Sequence, residues 1–413
     1  MHGRGGRLDF NKRPLLVFWE TTKACMLACR HCRAEAIREA LPGELTTEEG
    51  LNLIDQVAEF GTSPPPILVF TGGDPLMRKD IWQLLEYAKS KGLRAALAPA
   101  VTPVLTEDVI AKIADVGVDA VSISLDSGVA EVHDSIRGIK GTWERSIWAI
   151  RKFIDYGVRV QVNTLVSRET VETLPETIKL LIDLGVPVLE AFYVVPVGRA
   201  AQEMMLGPQE FEDVGHLLYQ ASKYGLVVRT TEGPSFRRIS LTRMLLEKRG
   251  YGAEKLLGAG PLYRRLKKKL EKLLGSPKGD PRISTVGTRD GKGIIFVAYN
   301  GDVSPSGFMP YRLGNVKRES LVKIYRENSL LKKIRAAEFQ GRCGACEFRD
   351  ICGGSRARAY MVYGDPLAED PACPYRPGTF TQLAEKLGVD VSKLPYLLPY
   401  REQERYILPE KQQ

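Results

Sequence analysis

The stretch Leu15-Leu16-Val17-Phe18-Trp19-Glu20-Thr21-Thr22-Lys23-Ala24-Cys25-Met26-Leu27-Ala28-Cys29-Arg30-His31-Cys32 joins an apolar run to a loop with three cysteines in C-x3-C-x2-C spacing. A short, continuous apolar run reads as a buried strand, so three thiols leave its end on one short loop. Cysteine thiolates are the usual holders of cubane iron–sulfur clusters, which take four ligands. No fourth cysteine lies nearby, so such a cluster keeps one iron open to a ligand that is not protein. Structural zinc closes its site with a fourth Cys or His. His31 lies too close to both flanking cysteines to serve comfortably as that ligand. The loop points to a redox enzyme, with a zinc site or chance spacing as the plain alternative.

Outward from this stretch, short apolar runs alternate with amphipathic segments as far as about Gly198. Candidate strands are residues 15–20, 67–70, 94–98, 119–125, 158–165 and 188–195. Thr46 with Glu49 three residues later is a capping-box start for the first helix. Such alternation argues for parallel strands joined by right-handed crossovers, buried on both faces. The expected fold is α/β, with residues 1–13 a tail and 14–205 a barrel of six strand–helix units. Residues 206–290 read as a bridging helical segment, with helices near 208–224 and 261–274. Residues 291–380 read as a cysteine-rich domain, in which Asn300-Gly301 marks a β-hairpin and a helix spans about 319–337. Residues 381–413 read as a tail, a helix followed by a Pro-punctuated extension.

The remaining four cysteines are Cys343, Cys346 and Cys352, in C-x2-C-x5-C spacing, and Cys373. Three and four use all seven cysteines in the chain, which is hard to reconcile with disulfides. On the residues alone, the four-thiolate set suits zinc or a fully ligated [4Fe–4S] cluster equally well.

The segment Cys25-Met26-Leu27-Ala28-Cys29-Arg30-His31-Cys32 resembles the signature of the radical S-adenosylmethionine (SAM) enzymes. The resemblance implies an open (β/α)6 partial TIM barrel with chemistry at the C-terminal strand ends. It also implies a three-cysteine [4Fe–4S] cluster whose open iron is chelated by SAM. Reductive cleavage of SAM then yields a 5'-deoxyadenosyl radical that abstracts hydrogen, and a reductase or a ferredoxin- or flavodoxin-type donor supplies the electron.

Thr71-Gly72-Gly73-Asp74-Pro75 is similar to the family's GGEP motif, which receives the SAM amino group, with Asp74 in place of Glu. Further SAM contacts implied by the resemblance are Ser124 and Asp126 at the end of strand four, and Arg137 toward the SAM carboxylate. Asn163 and Thr164 on strand five are expected at the ribose, and Val195 with Pro196 at the adenine.

The run from Cys343 to Gly354 resembles the auxiliary-cluster region of the SPASM and twitch subfamilies, which implies iron–sulfur at the four cysteines. Full SPASM domains hold two auxiliary clusters. Here Ser306 and Ser355 stand where further cysteines are expected, and hard oxygen is a poor ligand for soft iron. One auxiliary cluster is expected, fully ligated by Cys343, Cys346, Cys352 and Cys373.

The chain has 413 residues and a formal charge of +9, with no apolar run near the length of a membrane span and no signal-peptide h-region. A cytoplasmic location without membrane contact is expected. Much of the charge lies in residues 263–272, on an amphipathic helix. That helix reads either as a solvated basic face or as a patch for an anionic substrate or an acidic electron donor. No aromatic–basic interleaving accompanies it, which disfavours nucleic acid.

Cys29-Arg30-His31-Cys32-Arg33-Ala34, Val195-Pro196-Val197-Gly198-Arg199 and Arg356-Ala357-Arg358-Ala359-Tyr360 resemble the tetrapyrrole-modifying branch of the family, the haem d1 and alternative haem pathways. Three function classes follow. The first is a radical SAM enzyme acting on a tetrapyrrole side chain. The second is a radical SAM maturase of a ribosomally made peptide, disfavoured because about thirteen residues before the first strand leave no room for a leader-binding domain. The third is a non-catalytic zinc or electron-transfer protein. None of the four histidines has a convincing acid–base partner, so the sequence identifies no catalytic base.

Overall fold

The computed structural model describes residues 9–61, 64–283 and 287–390. Strands β1 (Leu16–Thr22), β2 (Ile67–Gly72), β3 (Arg94–Leu97), β4 (Ala120–Ser124), β5 (Val160–Val166), β6 (Val188–Tyr193) and β7 (Val227–Thr231) lie side by side in chain order. Every neighbouring pair among them is parallel. The six expected strands are present, with bounds within two residues of those read from the sequence. β7 is additional and lies inside the segment read as helical. Its sequence, Val227-Val228-Arg229-Thr230-Thr231, turns polar after two apolar residues and so gives little period signal.

Helices cover the outside of this sheet, and the crossover residues pack into one core with the strands. Trp19 and Phe70, paired in register across β1 and β2, hold ring centroids 5.7 Å apart. The first helix, Thr47–Ala58, starts at the expected capping box: Thr46 Oγ1 accepts from Glu49 N at 3.2 Å, and Glu49 accepts from Thr46 N at 2.9 Å.

The C-terminal part adds β8 (Arg289–Asp290), β9 (Gly293–Val297), β10 (Asp302–Ser304) and β11 (Gly314–Asn315) to the same sheet. β9 runs parallel beside β1, with Leu16 opposite Ile294 and Phe18 opposite Phe296. β10 returns antiparallel across the Asn300-Gly301 turn, where Gly301 takes a φ of +88° that a side chain would resist. β1 is thus hydrogen-bonded on both edges, by β2 and by the hairpin.

The reading of the helices is revised in two places. Instead of one helix over 319–337, Leu321–Glu327 and Ser329–Arg335 meet at Asn328, whose side chain caps the second by accepting from Leu330 N and Leu331 N. A further helix, Ser235–Glu247, escapes the sequence reading because its buried face carries arginines. Arg238 there forms a two-pronged pair with Glu212 at 2.8 and 2.6 Å, and Arg243 pairs with Glu247 and Glu254.

The basic helix, Pro261–Leu274, buries Leu262, Tyr263, Leu266 and Leu270. Three of its six cations form ion pairs: Arg265 with Glu172, Lys267 with Glu254, and Lys269 with Glu176. Its apolar side packs inward, and no residue of it lines the central cavity. The tail helix spans Thr379–Lys386, while the expected extension lies outside the described residues. No described helix is long and apolar enough to cross a membrane.

Candidate cluster, cofactor and substrate site

The three-cysteine loop leaves the C-terminal end of β1. Cys25 N donates to Ile37 O at 2.7 Å, Arg30 N to Ile136 O at 3.0 Å, and Cys32 N to Cys29 O at 3.3 Å. The loop is braced from across the barrel. Arg199 donates from Nε to Cys29 O and from Nη1 to Ala36 O, both at 2.9 Å, and its N–H reaches Cys32 O at 3.0 Å. Gly198 precedes it with φ +62°, and a Cβ there would lie 2.5 Å from the carbonyl oxygens of Cys32 and Arg33. The Val195–Arg199 segment, quoted from the sequence only for its resemblance, therefore holds the cysteine loop in place.

The thiols are free and mostly buried. Leu27 N points at Cys25 Sγ and Ala36 N at Cys32 Sγ, both at 3.4 Å, while Arg137 Nη1 lies 3.7 Å from Cys29 Sγ. Burial pushes the Cys25 thiol up to about 12, and burial likewise raises Cys29 against the pull of Arg137. Such thiols need a bound metal to displace their protons. Three sulfurs, each with an N–H or guanidinium donor, suit a cluster with one open corner. His31 is half-buried, its inaccessible Nδ1 unpartnered among the described residues, and desolvation pulls it down to about 4.

Gly72 and Gly73 press against this loop. A Cβ on Gly72 (φ +144°) would sit 2.3 Å from Thr22 O, and one on Gly73 2.4 Å from Ala24 O. Gly73 N and Asp74 N donate to those same carbonyls at 2.8 and 2.7 Å. The glycines are thus required by close approach of β2's end to the chain entering Cys25. Asp74 is fully buried and accepts from Leu76 N at 3.2 Å, Ala100 N at 3.3 Å and Thr102 Oγ1 at 2.9 Å. Burial raises it above its ordinary value. Its carboxyl ties the turn after β2 to the Ala100–Thr102 segment.

The other expected SAM contacts divide. Asp126 is buried, and its carboxylate accepts from Arg137 Nε at 2.7 Å and Leu165 N at 3.3 Å. Burial pushes Asp126 up, but Arg137 outweighs it and holds the group below its ordinary range. Arg137 bridges Asp126 and Cys29, a pairing the sequence does not reveal. Thr164 is fully buried, its hydroxyl donating to Leu125 O at 2.9 Å, while its neighbour Asn163 faces the barrel interior. The period-two alternation of a strand separates them. Ser124 is half-buried, paired in register with Asn163, and Ser122 is the serine of β4 that lines the interior. Val195 packs with Val197, Met309, Ile334 and Ala357, in an apolar cluster joining the barrel to the C-terminal part.

Cys343, Cys346, Cys352 and Cys373 line one cavity together with Arg238, Arg342 and Arg358. Asp370 N and Arg356 Nη2 point at Cys343 Sγ from 3.3 and 3.6 Å, and Phe348 N at Cys346 Sγ from 3.5 Å. Burial pushes Cys346 and Cys373 up to about 12. Gly354 has φ +66°, and a Cβ there would come within 2.9 Å of Cys343 Sγ.

Among the described residues no three Cys, His, Asp or Glu side chains converge as ligands of a single ion. The four thiols nonetheless line one cavity, and four thiolates are the full ligand set of a cubane. Ser306 and Ser355 do not line that cavity. Ser306 Oγ accepts from Phe308 N at 3.3 Å, and Ser355 Oγ accepts from Arg358 N at 2.9 Å while donating to Glu232.

A cavity of about 360 Å³ fills the barrel interior. Phe18, Val69 and Phe192 give it apolar walls, Ser122 and Asn163 a polar patch, and Phe308, Gly354 and Ser355 reach it from the C-terminal part. Arg33, Arg94, Arg229, Arg237 and Arg289 also line it, against Asp119, Glu190, Glu232 and Asp290. None of these nine except Arg33, as part of a quoted motif, is singled out by the sequence. Most of them lie in or beside strands, and their convergence is visible only once the sheet is assembled around the cavity.

The radical SAM superfamily profile matches residues 19–181, and the profile of the SPASM iron–sulfur cluster-binding domain matches residues 289–347. The chain is 36% identical over 367 residues to an AdoMet-dependent heme synthase of Oleidesulfovibrio alaskensis, covering 88% of this chain and 87% of that one. It is 30% identical to an Fe-coproporphyrin III synthase of Methanosarcina barkeri, covering 88% of each. Streptococcus suis SuiB, solved bound to the precursor peptide SuiA, superposes with a TM-score of 0.62 at 14% identity, over 88% of this chain and 76% of that one.

Proposed function

The chain belongs to the radical SAM superfamily, and from that membership we propose that its substrate is a tetrapyrrole carrying carboxylate side chains. The observation that carries this reading is the cavity, where apolar strand surface meets five arginines. A macrocycle needs the first and its carboxylates need the second. The heme-synthase and coproporphyrin-synthase names of its relatives agree with it.

We assign Cys25, Cys29 and Cys32 to the [4Fe–4S] cluster that binds SAM, and Cys343, Cys346, Cys352 and Cys373 to one auxiliary [4Fe–4S] cluster. When bound, SAM and the three-cysteine cluster supply the hydrogen-abstracting radical. The chain's own residues do the rest. Arg33 follows Cys32, pairs with Glu20 at 3.2 Å and lies 4.7 Å from the Phe296 ring, which fixes a cation between the cluster loop and the cavity. Arg289 donates to the carbonyls of Arg349 and Asp350, while its buried Nε has no partner among the described residues. Burial lowers it only to about 10, so it remains a cation at neutral pH.

The test is anaerobic turnover of iron coproporphyrin III with SAM and a reductant, read by mass spectrometry. Loss of carbon dioxide and two hydrogens from a propionate, together with 5'-deoxyadenosine, is expected. An unchanged pigment, with SAM cleavage stimulated instead by a peptide, would overturn the tetrapyrrole reading and favour the maturase.

A further inference from the structure

The sequence offers no acid–base group, but the cavity wall holds one. Glu232 follows β7, Asp290 ends β8, and Ser355 caps the helix Arg356–Tyr363. All three line the cavity and are nearly inaccessible. The Glu232 carboxyl accepts from Ser355 Oγ, the cap of that helix, and so sits at its first turn. The other side of the pair is fixed as well, since Asp290 Oδ2 accepts from Ala357 N at 2.9 Å. Glu232 takes φ +56°, a left-handed backbone that a non-glycine residue adopts at a cost. Such a cost is met at sites where the side chain must be aimed.

Two carboxyl groups buried at the first turn of one helix, through Ser355 and Ala357, are stable side by side only if one of them carries a proton. The cations around the pair do not neutralise it directly. Arg358 gives its side chain to Asp370 and one N–H to the Glu232 carbonyl at 3.0 Å. Arg237 donates to the carbonyls of Ile351 and Thr288, and Arg289 to those of Arg349 and Asp350. Glu190 on β6 adds a further carboxyl facing Arg237. Burial, then the charge of Asp290, raises Glu232 well above its ordinary range.

We propose that Glu232 and Asp290 share one proton and form a specificity-determining subsite for a carboxylate of the substrate. The shared proton keeps this wall from carrying two negative charges, and it offers an acid O–H to an incoming carboxylate beside Arg237 and Arg289. This rests on the carboxylated-tetrapyrrole reading for its ligand, but not for the pair itself.

The test is titration of the protein, with both clusters loaded, with iron coproporphyrin III across a pH series, followed by absorbance. Wild-type affinity is expected to fall as the pair loses its proton, by up to about tenfold per pH unit. Glu232→Gln, which keeps a neutral donor, should bind with a flat profile through that range. Asp290→Asn should move the fall to lower pH, because Glu232 loses its negative neighbour. A flat wild-type profile, or a Glu232→Gln profile with the wild-type slope, would overturn the proposal.

If the pigment fails to bind wild-type protein, the tetrapyrrole reading fails, and infrared difference spectra still decide the pair. A neutral carboxylic-acid band near neutral pH that disappears in Glu232→Gln supports it. No such band refutes it.

Discussion

Arg137 links the barrel wall to the cysteine loop, since its guanidinium serves both the buried Asp126 carboxylate and Cys29 Sγ. Removing one member of a buried pair leaves an unscreened charge and costs roughly 3–5 kcal/mol. Arg137→Ala is therefore expected to lower the thermal midpoint and the iron bound at the first site. Adding Asp126→Asn should recover part of the stability but not the iron. A second residue makes stability depend on pH. His216 is fully buried with both ring nitrogens unpartnered among the described residues, and burial pulls it down to about 3. The unfolded chain protonates this ring near 6.5 and the folded chain does not, so its contribution is complete above that pH and is lost as pH falls toward 3. The slope is about 1.4 kcal/mol per unit. Denaturant titrations at pH 7.5 and 5.5 should show His216→Phe losing less stability than wild type over this interval. At this scale the sequence is legible where chemistry and spacing coincide, as in the seven cysteines. It is less so where one motif serves two purposes: Gly72 and Gly73 are explained here by contact with Thr22 and Ala24.

At the scale of elements, β1 carries the most. It is paired by β2 and β9, it carries Trp19 in the core, and its end launches the cysteine loop. Ile295, fully buried on β9 opposite Val17, ties the C-terminal part to it. Ile295→Ala should cost about 2–5 kcal/mol, and calorimetry should show one transition shifting for barrel and C-terminal part together. Two separate transitions would mean that the shared sheet does not couple them. The barrel strands are legible because a strand buried on both faces is a continuous apolar run. The β1–β9 pairing joins residues nearly three hundred positions apart, from Leu16 to Ile294, and no local pattern encodes it. The helix Ser235–Glu247 is hidden for the opposite reason, since Arg238 and Arg243 are buried by ion pairing rather than by apolarity.

At the scale of the whole molecule, the barrel places the three-cysteine loop at one strand end and encloses a cavity reached by the loop's own Arg33. The four-cysteine cavity lies in the C-terminal part, which adds Phe308, Gly354 and Ser355 to the central cavity wall. Both thiol sets are legible from the sequence, whereas the arginines of the cavity are not, because they come together only when the sheet and the C-terminal part assemble around it. Iron content and 5'-deoxyadenosine formation after anaerobic reconstitution test the assignment of the two sets most directly. The wild-type chain should hold about eight irons, as two cubanes require, and should cleave SAM. Replacing Cys25, Cys29 and Cys32 together by Ala should leave about four irons and no 5'-deoxyadenosine. Stoichiometric zinc with negligible iron, or SAM cleavage by the triple variant, would contradict the account.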